Sequence, residues 1–253
     1  MKKLSIRSEV VSDSGIAALK KNSSLKALTL SSPLVTDQSV QTIASLPSIT
    51  SLCLQKAGLT DAGTQELIKH YGNKGDLRTL ELKNCPKITN QSFVGVGKIN
   101  SLSSLVLADN PNLTGSVLQS VAELPNLSSL SFQGTVIEAA DFSHLKTSTI
   151  FGINLSGSQL GNGSIDALAV ARPNLASLIV AKTNLTDEEM GAIGKLKSLQ
   201  FLSMEQTKVS DEVFDQLEGL KSLRHLTVSA DNVSETAATQ FTQRHPGISV
   251  RRK

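Results

Sequence analysis

One short pattern of apolar positions recurs along the whole chain. It consists of three aliphatic residues. Two variable residues separate the first from the second, and one separates the second from the third, as in LKALTL from residue 25 and LRTLEL from residue 77. Copies begin at residues 1, 25, 49, 77, 102, 127, 150, 175, 199, 223 and 245, which are 22–28 residues apart. The alternation within each copy predicts a short strand with every second side chain buried. A regular period of this length predicts an array of stacked repeats.

The positions that follow each predicted strand also repeat. Three residues beyond the last aliphatic residue stands a small residue, and we expect it to satisfy backbone groups where the chain turns away from the sheet. These small residues are Ala57, Cys85, Asn110, Thr135, Ser158, Thr183 and Thr207.

Many repeats then carry a helix start, a hydroxyl residue followed by an acid. The hydroxyl suits the N-cap position and the acid suits the positive end of the helix dipole. These pairs are Ser12-Asp13, Thr36-Asp37, Thr60-Asp61, Thr186-Asp187 and Ser210-Asp211. Thr186 and Glu189 also have the spacing of a capping box. We expect helices of two to three turns, such as DEVFDQLEGL from residue 211.

Two repeats depart from this pattern. TVIEAADF, residues 135–142, replaces the usual helix start and predicts a short or irregular helix. The segment after Leu59 carries four extra residues, which include part of HYGNKG at residues 70–75, and predicts a longer helix or a loop.

The whole pattern resembles the leucine-rich-repeat superfamily, Leu-x-x-Leu-x-Leu-x-x-(Asn/Cys/Thr)-x-Leu. LTDAG at 59–63 and LTDEE at 185–189 look like the ribonuclease-inhibitor-like class. LELKNCPKITN at 80–90 is similar to the cysteine-containing repeats of F-box proteins, and LQFLSMEQTKVSDEVFDQL at 199–217 is similar to bacterial repeats. The resemblance implies an α/β fold: a leucine-rich-repeat solenoid, shaped as a right-handed horseshoe of about 10 repeats. A parallel sheet would form its concave face and short helices its convex face.

The repeats leave almost no residues outside the pattern, so we expect a single domain over residues 1–253. The sequence begins inside a strand, without the polar cap that terminal repeats need, and we expect it to be part of a longer protein. No F-box precedes the repeats. We expect a monomer apart from association at open strand edges.

Composition narrows the functional classes. With a net charge of +3, no Trp, one Tyr and seven Phe, the chain lacks the stacking aromatics of a nucleic-acid surface, so we expect no nucleic-acid partner. No apolar run approaches the roughly 20 residues of a membrane span. The start MKKLSIRSEV lacks an apolar signal segment, which favours the cytoplasm. Two cysteines cannot build a disulfide framework.

No residue constellation predicts catalysis, a cofactor or a metal site. We expect Cys85 to be a buried thiol bonded to backbone and Cys53 to be an exposed thiol without a neighbouring base. The histidines His70, His144, His225 and His245 fall in different phases of their repeats, with His70 expected on a helix and His225 on a strand. GVGK at 95–98 lacks the glycine and hydroxyl residue of a phosphate-binding loop. We therefore predict that the protein is not an enzyme.

Strand residues that alternate with the buried ones should face a partner across the concave face. Fourteen of these 22 positions are Ser, Thr, Ala or Gly, which predicts a smooth, shallow surface. Ile179 and Phe201 should form an exposed apolar pair on adjacent strands. The last copy, HPGISV from residue 245, places Gly247 and Ser249 on this face.

The first strands also carry basic residues against one acid, Glu81, which suits an acidic protein partner. They are Lys2, Lys3, Arg7, Lys26, Lys56, Arg78 and Lys83. The predicted partner-binding residues are Ile179, Phe201, Val106, His225, Lys56, Arg78 and Lys83.

We interpret the sequence as a non-catalytic protein-protein interaction module that binds a partner on its concave face. Two alternatives stay open: the substrate-recognition part of a larger enzyme, such as a kinase or ubiquitin ligase, and a host-directed bacterial effector.

Overall fold

The recurring aliphatic pattern forms strands in the computed structural model, which describes residues 2–253. Met1, the first residue of the first copy, lies outside the described residues. The chain forms two units, the first ending at Ser129 and the second spanning Leu130–Lys253. In both units parallel strands alternate with short helices, so the predicted α/β class is confirmed.

The first unit holds five parallel strands that pair in chain order, from β1 to β5. They are β1 (Lys3–Arg7), β2 (Ala27–Ser31), β3 (Ser51–Gln55), β4 (Thr79–Lys83) and β5 (Ser104–Ala108). Their registers match the copies of the pattern, so Leu28, Leu52, Leu80 and Leu105 stand in one row, each at most 2% exposed. The predicted phase of these strands is therefore right.

The second unit contains the later strands of the pattern and a separate two-stranded sheet. Its main strands are β6 (Ser129–Gln133), whose first residue is the last of the first unit, β8 (Gly152–Asn154), β10 (Ser177–Ile179), β11 (Phe201–Met204), β12 (His225–Val228) and β13 (Ser249–Arg252). The strands from β8 to β13 in this set are parallel and pair in chain order. The small sheet pairs β7 (Val136–Ile137) with β9 (Gln159–Leu160).

Helices of unequal length connect the strands. They are α1 (Asp13–Ala17), α2 (Val40–Ser45), α3 (Asp61–Lys74), α4 (Leu118–Val121), α5 (Ala139–Phe142), α6 (Ser164–Ala171), α7 (Met190–Ile193), α8 (Val213–Leu217) and α9 (Glu235–Arg244). Single 3-10 turns precede, follow or replace several of them, as at Asp37–Ser39 and Asn90–Phe93. The longer segment after Leu59 is a helix of 14 residues, and the repeat with TVIEAADF has a helix of four, as its sequence predicts.

The expectation of two to three helical turns per repeat is wrong for most repeats. DEVFDQLEGL contains α8, which has only five residues. The reason is the spacing of its apolar residues: Leu217, Leu220 and Leu223 lie three apart and are each at most 1% exposed. The backbone N–H groups of Leu220 and Leu223 donate to the carbonyl three residues earlier, a tighter turn that keeps residues at this spacing on one side.

The small residues after the strands do form the expected ladder of backbone contacts. In the first unit, the side chain of Asn110 accepts from the N–H of Cys85 at 2.8 Å and donates to the carbonyl of Leu82 at 2.9 Å. In the second unit, the hydroxyls of Thr183 and Thr207 donate to the carbonyls of Val180 and Met204, three residues earlier, both at 2.7 Å. The four ladder residues, Asn110, Cys85, Thr183 and Thr207, are buried, so these bonds satisfy backbone groups that water cannot reach.

The register of the last strand differs from the sequence prediction. His225 pairs with Ser249 and Thr227 with Arg251, so the outward positions are Ser249 and Arg251 rather than Gly247 and Ser249. Because Ile248 and Val250 are both aliphatic, the pattern fits either register, and pairing with β12 selects one. Arg252 then takes the place of the last aliphatic residue, and its guanidinium donates to the carbonyls of Val233 and Ala230.

Candidate partner-binding surface

Each unit exposes one row of strand positions that alternate with buried ones. In β2, β3 and β4 the outward residues are half-buried and the residues between them are buried. We call this side of the sheet the open face. Its side chains belong neither to the core nor to the helices.

In the second unit, Ile179 and Phe201 both lie on the open face but are not directly opposite each other. Phe201 pairs with Ser177, and Ile179 pairs with Ser203, so the two apolar side chains are diagonal neighbours. Both are half-buried, which corrects the expectation of a fully exposed pair. The ring of Phe201 lies 6.3 Å from that of His225, which is exposed on the next strand.

These residues border a depression of about 350 Å³ on the open face. We call it the Phe201 pocket and define it by Ile179, Phe201, Ser203, Thr227, Arg251 and Lys253. Ser203 and Thr227, which are 4% and 7% exposed, lie between the larger side chains. The prediction of a smooth, shallow surface is therefore wrong at this place, because small residues are flanked by large ones.

Sequence reasoning missed Arg251 as a site residue. The pattern assigned its place on the open face to Ser249, and only the register of β13 brings Arg251 beside Thr227. Lys253 follows directly, with its Nζ 3.7 Å from a carboxylate oxygen of Glu205. Among residues 2–253 the structure shows no carboxylate paired with Arg251, so its guanidinium is left available to a ligand.

In the first unit, Val106 occupies the open face beside Glu81, which in turn pairs with Cys53. Val106 and Cys53 are both half-buried, so the expectation that Cys53 is exposed is wrong. Burial, followed by the charge of Glu81, raises the pKa of the Cys53 thiol to about 11. Cys85 is fully buried, its sulfur lies 3.5 Å from the carbonyl of Lys83, and burial raises its pKa to about 11.

The three basic residues predicted in the first unit have different surroundings. The Nζ of Lys56 lies 3.3 Å from a carboxylate oxygen of Glu9, and the Nζ of Lys83 lies 2.5 Å from a carboxylate oxygen of Glu81. Arg78 is exposed at the start of β4. The sequence prediction counted Glu81 as the one acid in this region. The structure brings a second acid, Glu9, close to Lys56 from its position just after β1. The positive charge of this surface is therefore smaller than the sequence suggested.

A larger depression, of about 630 Å³, lies between α9 and β13. Its charged lining consists of Glu235 and Arg252, and the guanidinium of Arg252 already donates to two carbonyls of this chain. Its charge therefore favours no particular partner.

His70 lies on α3 and His225 on β12, as their sequence phases predicted. Burial, aided by the charge of Lys74, lowers the pKa of His70. Within residues 2–253 no group of three or more His, Cys, Asp or Glu side chains is arranged to hold a metal ion. Over the same residues, no helix combines the length and apolar character required to cross a membrane.

Comparisons with known proteins identify the fold. No family model and no curated protein matches the chain. An internalin from Listeria monocytogenes matches with a TM-score of 0.56 and 19% identity, over 99% of this chain and 80% of the internalin chain. A chain from the yeast Rad7–Elc1 complex matches with a TM-score of 0.50 and 19% identity, again over 99% and 80%. These likenesses, together with the parallel strands and short helices, show that the chain has the leucine-rich-repeat fold.

Proposed function

We propose that this protein is a non-catalytic interaction module that binds another protein through the open face of its sheet. The observation that carries the proposal is the Phe201 pocket, where a half-buried aromatic side chain and Ile179 border a depression on an otherwise small and polar surface. Large apolar side chains near the centre of an interface commonly supply much of the binding energy.

The leucine-rich-repeat fold supports this class of function, since its sheets present long surfaces to partners. The similar yeast chain comes from a structure of Rad7 in complex with Elc1, which is a precedent for protein partners of this fold. The first unit offers a candidate surface of its own, formed by the exposed Arg78 with Val106, Lys56 and Lys83.

We also infer that the repeats are of the ribonuclease-inhibitor-like, cysteine-containing type. The position of Cys85 in the ladder after β4, bonded to backbone, supports this assignment. The repeat pattern of the sequence continues across residue 129, which supports one domain rather than two.

Affinity capture with the purified chain, followed by mass spectrometry, tests the proposal. Phe201→Ala and a triple variant, Lys56→Ala with Arg78→Ala and Lys83→Ala, should each lower recovery of the partner that the wild type enriches. Val170→Ala alters a residue that is 68% exposed on α6, away from the open face, and should leave recovery unchanged. Wild-type recovery by both open-face variants would show that the partner binds elsewhere.

A further inference from the structure

We propose that the Phe201 pocket binds an extended, acidic segment of its partner in which one apolar side chain stands three or four residues from a carboxylate. This inference rests on the proposed function and adds the chemistry of the ligand.

The apolar part of the ligand is indicated by Ile179 and Phe201. Both side chains are half-buried, so each leaves apolar surface that a ligand can cover. The depression of about 350 Å³ lies at the lower end of the size range of ligand pockets. It has room for one large apolar side chain and the backbone next to it.

The acidic part of the ligand is indicated by the charges around the pocket. Glu205 is the acid that lines it, and Lys253 lies 3.7 Å from that carboxylate. Arg251 is exposed, and no carboxylate pairs with it within the described chain. A guanidinium can donate two parallel hydrogen bonds to one carboxylate, so Arg251 is suited to an Asp or Glu side chain.

The spacing follows from the register of the strands. Phe201 pairs with His225 and His225 with Ser249, so the residue on β13 opposite Phe201 is Ser249, and Arg251 lies two residues further along. Two strand spacings of about 4.8 Å and two residues of about 3.3 Å place the two positions roughly 12 Å apart. An extended peptide covers that distance in three or four residues.

Single-stranded nucleic acid is the competing ligand, because Phe201, His225 and Arg251 could also contact bases and phosphates. We favour the acidic peptide because the carboxylate of Glu205 also lines the pocket and would repel a phosphate backbone. A peptide side chain can place one carboxylate at Arg251 and keep the rest of its chain uncharged.

The test measures fluorescence polarisation of labelled ten-residue Gly/Ser peptides with the purified 253-residue chain. Each peptide carries one Phe or Leu and two adjacent Asp or Glu residues, three and four positions from that apolar residue. In one set of peptides the acids precede the apolar residue, and in the other set they follow it. Matched peptides carry Asn or Gln in place of the acids, and a ten-residue oligothymidylate serves as the nucleic-acid probe.

We expect the acidic peptides to bind at least tenfold tighter than the amide peptides at about 50 mM salt, with the ratio falling at high salt because screening weakens ion pairs. Arg251→Glu should abolish the preference for acids. Lys208→Glu changes the net charge equally at an exposed residue outside the pocket and should preserve the preference. Phe201→Ala should weaken acidic and amide peptides alike. Arg251→Gln provides a second variant if Arg251→Glu fails to fold.

Three results would overturn the proposal: no measurable binding of the acidic peptides, no preference over amide peptides, or equal loss in Arg251→Glu and Lys208→Glu. Tighter binding of the oligothymidylate would overturn it in favour of nucleic acid. If the captured partner still depends on Phe201 after such a result, the proposed function stands and only this ligand chemistry is wrong. If every open-face variant recovers the partner at the wild-type level, the proposed function itself is contradicted.

Discussion

The carboxylate of Asp61 joins two consecutive repeats by accepting hydrogen bonds from Thr89. The backbone N–H of Thr89 donates to one oxygen at 2.7 Å and its hydroxyl to the other at 2.8 Å, and the hydroxyl of Ser92 donates as well. Asp13 makes the same contacts with Thr36 and Ser39. The acid that starts one helix therefore also caps the start of the next helix.

Removing this link should destabilise the fold. Asp61→Ala leaves the N–H and hydroxyl of Thr89 without their charged acceptor, and a hydrogen bond to a charged group makes a net contribution of about 1.5–3 kcal/mol. We expect a loss of about 1–3 kcal/mol in the free energy of unfolding, measured by urea denaturation. Glu66→Ala, at an exposed position of the same helix, should change stability by less than about 0.5 kcal/mol. Equal effects would contradict a linking role.

The same contacts should make stability depend on pH. Burial raises the pKa of Asp61, but the bonds from Ser92 and Thr89 outweigh burial, so the pKa lies below its usual value, and Asp13 behaves alike. A lowered pKa means that these carboxylates stabilise the folded state fully above about pH 4, the value in an unfolded chain, and lose this contribution as pH falls through the folded pKa.

Asp61→Asn should therefore lose less unfolding free energy than the wild type when the pH is lowered from 5 to below 3. Asn90 occupies the position in the next repeat that matches Asp61. Its side chain accepts from the N–H of Thr114 and donates to the hydroxyl oxygen of Thr114, which shows that an amide fits at this position. Identical pH profiles for wild type and variant, measured by denaturation, would argue against the lowered pKa.

Gly63 should be intolerant of even one methyl group. A Cβ on Gly63 would clash with Oδ1 of Asp37, which accepts from the N–H of Thr60 at 2.9 Å. Gly63→Ala should displace that carboxylate and cost about 1–3 kcal/mol. Gly15 has the same place within its own repeat, two residues after the acid of the helix start, but its Cβ would meet only Val11, at 3.6 Å, so Gly15→Ala should be neutral or stabilising by up to about 1 kcal/mol. Thermal unfolding of both variants distinguishes the two sites.

Leu178 tests the phase of the strands in the second unit. It is fully buried, and Leu178→Ala should cost about 2–5 kcal/mol because it removes apolar contacts and leaves a cavity. Val170→Ala, at an exposed position of α6, should fall within about 0.5 kcal/mol of the wild type. A cost below about 1 kcal/mol for Leu178→Ala in chemical denaturation would show that its strand does not pack as described.

Both cysteines should react slowly with iodoacetamide at neutral pH. Burial raises the pKa of each thiol to about 11, so the reactive thiolate is scarce, and Cys85 is also inaccessible. Glu81→Gln removes a charge that raises the pKa of Cys53, and should accelerate labelling of Cys53 but not of Cys85. Mass spectrometry measures the labelling rate. If wild-type Cys53 is labelled as fast as a free thiol, this account is contradicted.

The sequence predicted the parts of this fold that depend on local repetition. Leu130, Leu178 and Leu202, chosen from the period-2 pattern, are at most 1% exposed. The capping box of Thr186 and Glu189 is formed, with the N–H of Thr186 donating to Glu189 at 3.0 Å. Each of these features is encoded within a few residues, so a pattern read along the chain is enough to find it.

The sequence could not reveal that the acid of a helix start also bonds a residue one repeat away. The Ser/Thr-Asp phrase indicated only a helix start, whereas the carboxylate also bonds a residue 23 to 28 positions away. The pattern also placed Ile179 and Phe201 on adjacent strands, in the register that the structure has, but their partial burial depends on the side chains around them.

The repeat, the buried rows of leucines and the direction in which each strand residue points follow from the amino-acid pattern alone, because side chains alternate strictly along a strand. The chemistry of the open face depends on how the strands pair. Ile248 and Val250 fit two registers equally well, and only hydrogen bonding to β12, with Arg252 held by the carbonyls of Val233 and Ala230, places Arg251 beside Thr227 in the Phe201 pocket.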